Sequence, residues 1–104
     1  MLSWKFSVRL FFSGGHFIKK GISMEKRIAV TAIVIDDQSA VQEVNNVLHE
    51  YSEIIIGRMG IPYRERGISM ISVALDAVPD RISSLTGRLG QIKGVSAKAV
   101  ISKK

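Results

Sequence analysis

A strand–helix–strand pattern that occurs twice constrains this chain more than any other feature. Lys26 to Ile35 (KRIAVTAIVI) is rich in β-branched residues and predicts a strand. Asp36-Asp37 ends it and offers an N-cap to the segment that follows. There Val41, Val44, Leu48 and Tyr51 fall on one helical face. Glu53 to Tyr63 (EIIIGRMGIPY) returns to β character, and Tyr63-Arg64-Glu65-Arg66-Gly67 reads as a polar turn. Ile68 to Ala77 predicts a third strand. Pro79 suits the first turn of a second helix, in which Ile82, Leu85, Leu89 and Ile92 again share a face. Lys93-Gly94 stops that helix, and Val95 to Ile101 alternates as a last strand.

The two halves align at an offset of 41 residues. Val30, Ala32 and Val34 match Ile71, Val73 and Leu75; Val41, Val44, Leu48 and Tyr51 match Ile82, Leu85, Leu89 and Ile92; Ile54 matches Val95. Two interleaved βαβ units predict an α+β protein with the ferredoxin-like βαββαβ arrangement. It has a four-stranded antiparallel sheet with both helices on one face. The other face stays open, and mixed strands such as Ile54-Ile55-Ile56 give it apolar side chains. The expected remedy is a homo-oligomer, in which a second copy covers the face or edge strands pair between copies.

Residues 1–23 stand apart from the domain expected at 24–104. They carry Lys5, Arg9, Lys19 and Lys20 and no acid, so they hold +4 of the chain's net +6. Lys5 and Arg9 interrupt the uncharged core that a secretory signal needs. The strand-like alternation of Trp4, Phe6, Val8, Leu10 and Phe12 is not the helical period of a membrane anchor. Lys20-Gly21 is encodable by a purine-rich string at the spacing of a bacterial ribosome-binding site ahead of Met24. The leader therefore reads as translated upstream sequence, poorly ordered in either case, with Met24 the native start. The remaining residues are nearly balanced in charge, which argues against direct nucleic-acid binding. No apolar run is long enough to span a bilayer. The absence of cysteine removes disulfides, thiol nucleophiles and thiolate metal sites, and fits a cytoplasmic protein.

No catalytic constellation is visible, so the expectation is a non-enzyme without cofactor or metal. Asp36 and Asp37 are adjacent in a strand and would diverge, which suits a cap better than acid–base work. His49 stands near a helix end without a second ligand nearby. Ser83, Ser84 and Thr86 have no His near them in sequence. Gly57 and Gly60 interrupt the second strand, where they mark a bulge or a close contact. Arg58 sits between them in an otherwise apolar run, with Tyr63 at the end of the strand, and an arginine there can bind an anion bidentately. Arg64 and Arg66 read as a solvated hairpin with Glu65. Gly87 and Gly90, followed by Gln91, weaken the second helix at a cost of about 1 kcal/mol each. A neighbouring subunit or a ligand would give them a reason, with Gly90 on the flank of the buried face and Gly87 on the outer side. Arg58, Gly60, Tyr63, Gly87, Gly90 and Gln91 are thus the ligand or interface candidates.

HEYSEIIIGRMGIPYRERGISMISVAL, followed by LTGRLGQIKGV, resembles a family of small bacterial proteins named as iron-only hydrogenase system regulators. SEIIIGRMGIPYRE and GRLGQIKGV are the specific portions, and the likeness runs from Met24 to about Lys103. It implies an ACT-like version of the ferredoxin-like fold, similar to the C-terminal domain of the nickel-responsive repressor. It further implies a cytoplasmic regulatory or ligand-sensing module, acting as a dimer or tetramer with a small molecule or a protein partner. The alternative is a purely structural oligomerisation domain. Two departures narrow what carries over. Where the nickel repressor places His and Cys ligands, this chain has Arg58-Met59-Gly60-Ile61-Pro62 and Gly67. Where amino-acid-binding ACT domains place a Gly after the first strand, it has Asp37-Gln38-Ser39.

Overall fold

Strand-forming stretches of β-branched and aliphatic residues alternate with two amphipathic helices, and the computed structural model describes residues 25–103 of that pattern. In chain order the elements are β1 (Arg27–Ile35), α1 (Val41–Glu50), β2 (Ile55–Tyr63), β3 (Ile68–Ala77), α2 (Pro79–Gly90) and β4 (Val95–Ile101). The sheet runs β2-β3-β1-β4 with every neighbour antiparallel. β1 and β2 therefore run parallel with β3 between them, and β3 and β4 run parallel with β1 between them. This is the interleaved double βαβ expected of the ferredoxin-like fold. The reading of residues 1–23 as a leader falls outside the described residues.

Side-chain alternation splits the sheet into two unlike faces. Ala29, Thr31, Ile33 and Ile35 of β1 and Ile71, Val73, Leu75 and Ala77 of β3 are all buried. All but Thr31 join Val44, Val47 and Leu48 of α1 and Ile82, Leu85 and Leu89 of α2 in one hydrophobic core cluster. Both helices therefore lie on the same face. The other face presents Ile28, Val30 and Val34 from β1, Met59 from β2, Met70 from β3 and Val100 from β4, all substantially exposed.

The halves do not repeat at a constant offset. Val30, Ala32 and Val34 lie on the open face, whereas their expected counterparts Ile71, Val73 and Leu75 are buried. The equivalent of buried Ala29, Thr31, Ile33 and Ile35 is Ile71, Val73, Leu75 and Ala77, a spacing of 42. The helices keep 41, as in Val44 with Leu85. Ile55, which pairs with Leu75, corresponds to Val95 at a spacing of 40, not Ile54. An odd slip exchanges the two faces of a strand. It arises because the two connections into the helices differ by one residue. Asp36 and Asp37 lead from β1 to the 3-10 turn at Gln38–Ala40 that runs into α1, whereas Val78 alone leads from β3 to the matching first turn of α2 at Pro79. The second strand also starts later than Glu53, because Ser52–Ile54 forms a 3-10 turn after α1. Likewise Ile92 lies beyond the end of α2, although it remains buried.

Local chemistry closes these junctions. The Asp37 carboxylate accepts from Ser39 N–H at 3.0 Å and from Ser39 Oγ at 2.7 Å, as an N-cap does. Gly94 has φ +84 and lets its carbonyl accept from Asp36 N–H at 2.9 Å. A Cβ at Gly94 would lie 2.5 Å from Asp37 Cβ, so both sterics and backbone conformation require glycine. A bulge between Ile55 and Gly57 restores the alternation of β2 after the turn.

Thr31 is the buried polar side chain of the core; its Oγ1 lies 3.2 Å from Thr86 Oγ1 of α2. Thr86→Val would leave the fully buried Thr31 hydroxyl without a partner and should cost about 1–2 kcal/mol. Thr31→Val should cost less, because Thr86 is only half-buried. The double Val variant should return close to the wild-type value, since both partners are then removed. Urea unfolding of the three variants measures this. Gly94→Ala should destabilise by more than about 1 kcal/mol in the same assay.

Candidate functional site

The helix-facing row of β2 runs Ile55, Arg58, Gly60 and Pro62, opposite Leu75, Val73, Ile71 and Ser69 of β3. Gly60 contributes no side chain to this row, so a gap opens beneath the N-terminal half of α1. The gap is a shallow hollow of about 210 Å³, lined by Ile35, Val41, Asn45, Arg58, Ser69 and Ile71 among others. A Cβ built on Gly60 would sit 4.0 Å from Ile71 Cγ1 and from the Met70 carbonyl, in ordinary contact and pointing into free space. Pro62, which lacks an N–H, is tolerated because β2 is an edge strand.

Arg58 is half-buried on the wall of this hollow, and its Nη2 donates to Asn45 Oδ1 at 2.9 Å. That bond ties the middle of β2 to the flank of α1, where Asn45 lies one turn beyond Val41. Ser69 Oγ accepts a long bond of 3.4 Å from Gln38 Nε2, whose main partner is the Gly67 carbonyl at 3.1 Å. Arg58 is the one charged group among the lining residues. Such a hollow can hold a small anion or the acidic end of an amphipathic molecule.

The structure brings Arg58 and Gly60 together but not the other candidates. Tyr63 ends β2 opposite Ile68, on the open side of the sheet, and is 45% exposed. Gly87, Gly90 and Gln91 lie exposed along and just beyond the end of α2, which packs chiefly on β4 at the far edge. Nothing lies within 4 Å of a Cβ built at Gly87 or Gly90, so no neighbour within the chain explains either glycine. Arg64 to Arg66 form an exposed 3-10 turn closed by Gly67 at φ +65.

A second polar group lies where the end of α1 meets α2, and the sequence did not reveal it. Tyr51 is 8% exposed, and its hydroxyl shares a 2.7 Å hydrogen bond with Ser84 Oγ. The guanidinium carbons of Arg81 and Arg88 lie 5.1 and 5.7 Å from its ring centre. Arg81 pairs with Glu53 at 3.0 Å and Arg88 with Glu50 at 2.6 Å. Ser84, unattributed among the helix hydroxyls, thus has a phenol as partner. The Ser84 bond, and then the two arginines, hold the Tyr51 hydroxyl below its ordinary pKa. Arg88 is raised above its ordinary value, first by its bond to Glu50 and then by Tyr51. The group works as a clasp between the helices. The pairs that build it join residues 28 to 38 positions apart, which a helical wheel does not show. Among the described residues no cluster of His, Asp or Glu could hold a metal ion. No helix there is long and apolar enough to cross a membrane.

Two consequences are measurable. The Asp37 carboxyl is held below 3.8 by its bonds from Ser39, and the Glu50 carboxyl below 4.5 by its bond from Arg88. Depressed acids stabilise the fold above their ordinary pKa, and that contribution disappears as pH falls through the depressed value. Melting temperature should therefore drop between about pH 5 and pH 2, and the Asp37→Asn/Glu50→Gln double variant should lose less over that range than the wild type. Gly87→Ala, with open space around the new methyl, should stabilise by about 0.4–1 kcal/mol. Calorimetric scans of both proteins read the two effects.

TM1266 from Thermotoga maritima, described as an uncharacterized protein, is 42% identical, and its structure superposes with a TM-score of 0.73. The similarity covers 76% of this chain and 100% of that one. No curated protein matches the chain. Residues 27–99 match the TM1266-like family, described as "Iron-only hydrogenase system regulator, putative"; they span every strand and helix from β1 into β4. The chain belongs to that family.

Proposed function

We propose that this chain is a non-enzymatic regulatory module of the ACT-like kind, working in the cytoplasm as a homo-oligomer that senses a small molecule or engages a protein partner. The supporting observation is the chemistry of the open sheet face. Its strand residues include Ile28, Val30, Ala32, Val34, Met59, Ile61, Met70, Ala74 and Val100. Of these, Ile28, Val30, Val34, Met59, Met70 and Val100 are 39–72% exposed within one chain, a state that a soluble protein tolerates poorly over a contiguous area. The strands set only one acid, Asp76, and one base, Lys98, on this face. A face of nearly zero net charge does not suit nucleic acid, whereas a second copy of the same face suits it well. The description of the family as a system regulator favours regulation over catalysis.

The alternative is a structural oligomerisation domain without a ligand. The hollow beside Arg58 favours the sensing reading, because a purely structural module gains nothing from a gap next to a half-buried charge. Sedimentation velocity tests the assembly. The wild type should sediment as a dimer or tetramer, and Val30→Lys, which sets a charge at the centre of the open face, should shift it to the monomer while the helices remain by circular dichroism. A wild-type monomer at all concentrations would contradict the proposal.

A further inference from the structure

The hollow between α1 and the β2–β3 hairpin combines one positive group with walls that are otherwise mostly apolar. We infer that it is a binding site for a short, branched monocarboxylate that carries no amino group. The inference rests on the ligand-sensing reading above and names the ligand class for it.

Size sets the first limit. A dry cavity of about 150 Å³ holds a benzene molecule, so a hollow of about 210 Å³ accepts a molecule of roughly eight non-hydrogen atoms. A nucleotide or a peptide would seat only a part of itself there. The walls set the second limit. Val41, Pro62 and Ile71 offer aliphatic surface to a branched tail and no polar side-chain atom. Charge sets the third. Arg58 is the one charged residue of the lining, half-buried, and fixed in place by its bond to Asn45 Oδ1 at 2.9 Å. Its planar guanidinium, one N–H of which is given to Asn45, matches a carboxylate in shape, and such bonds strengthen where water is partly excluded. The Asn45 amide and the Ser69 hydroxyl add neutral donors on either side. No carboxylate lines the hollow, so an ammonium group would be desolvated there without an anionic partner. That separates the ligand from an α-amino acid of the same size. The missing side chain at Gly60 is what keeps the space open.

The test uses the full chain and a matched set of probes. 4-Methylpentanoate has the size and branching required, leucine is the same skeleton with an added ammonium, and 4-methylpentanol lacks the carboxylate. Each is titrated while the backbone amides are followed by NMR. The inference predicts saturable shifts for 4-methylpentanoate centred on Asn45, Arg58, Gly60 and Ser69, with leucine and the alcohol weaker by about tenfold or more. Arg58→Gln should weaken the acid by a similar factor. Gly60→Val, whose side chain enters the hollow from a strand that accepts it, should do the same with the melting temperature preserved. Absence of saturable binding at millimolar acid, equal binding of leucine, or an unchanged affinity in Gly60→Val would each overturn the site. Sedimentation of the same samples separates the two readings. Protein that assembles but does not bind loses the site and keeps the oligomer. Protein that binds as a monomer keeps the site and loses the oligomer.

Discussion

A sheet with a single layer of helices can bury only one of its faces, and side-chain alternation decides which residues that face receives. Here the buried row of β1 and β3, from Ala29 to Ile35 and from Ile71 to Ala77, meets the inward stripes of α1 and α2 in one continuous core. The residues between them are forced outward, and in this chain they are aliphatic too. Val30 and Val34 belong to the same strand as Ile33 and Ile35 and have the same chemistry, yet they differ from them only in facing the side that has no helix. A monomer satisfies half of what the strands demand. The proposed assembly follows from that imbalance and from no particular contact.

The candidate site depends on the same alternation. Arg58 faces the helices because the bulge between Ile55 and Gly57 resets the phase of β2 after a 3-10 turn. Without that extra residue Arg58 would point to the open side, and Gly57 would take its place opposite Val73. The charge is then held by Asn45, and the glycine two positions on leaves the gap beside it. Edge location makes this affordable: β2 has one free side, so Pro62 and an irregular register cost it few ladder bonds. The Tyr51 clasp, on the opposite flank of the helix layer, joins α1 to α2 through exposed ion pairs that contribute little individually. Its phenol–serine bond and stacked guanidiniums carry most of the geometry.

Much of this was legible in the sequence, for definite reasons. Period-2 and period-3.6 patterns identified all four strands and both helices, and the doubled order gave the topology. The constant offset failed where the pattern is blind: Val30, Ala32 and Val34 are as apolar as Ala29, Ile33 and Ile35, so hydropathy could not say which row faces inward. The one extra residue between β1 and the turn at Gln38–Ala40, which causes the slip, has no strong signature beyond the Asp37 cap. Arg58 stood out because a charge inside an apolar strand needs a reason. Its partner Asn45 did not, because nothing local links two positions on different elements. Gly87 and Gly90 also stood out, but open space surrounds both, and no contact within the chain explains either. Thr31 looked like any other β-branched strand residue, and its hydroxyl became meaningful only when Thr86 was found across the core.

The central claim is that the open face of the sheet is covered in solution by a second copy. Met59 and Met70 both lie on that face, each 39% exposed in one chain, and their methyl groups are direct reporters. The most direct measurement is the relaxation of selectively labelled methionine methyls by a soluble paramagnetic agent, recorded over a dilution series. The account predicts that the Met59 and Met70 methyls are shielded at high protein concentration and become accessible on dilution, together with a fall in molecular mass. Methyls that remain fully accessible at every concentration would contradict it.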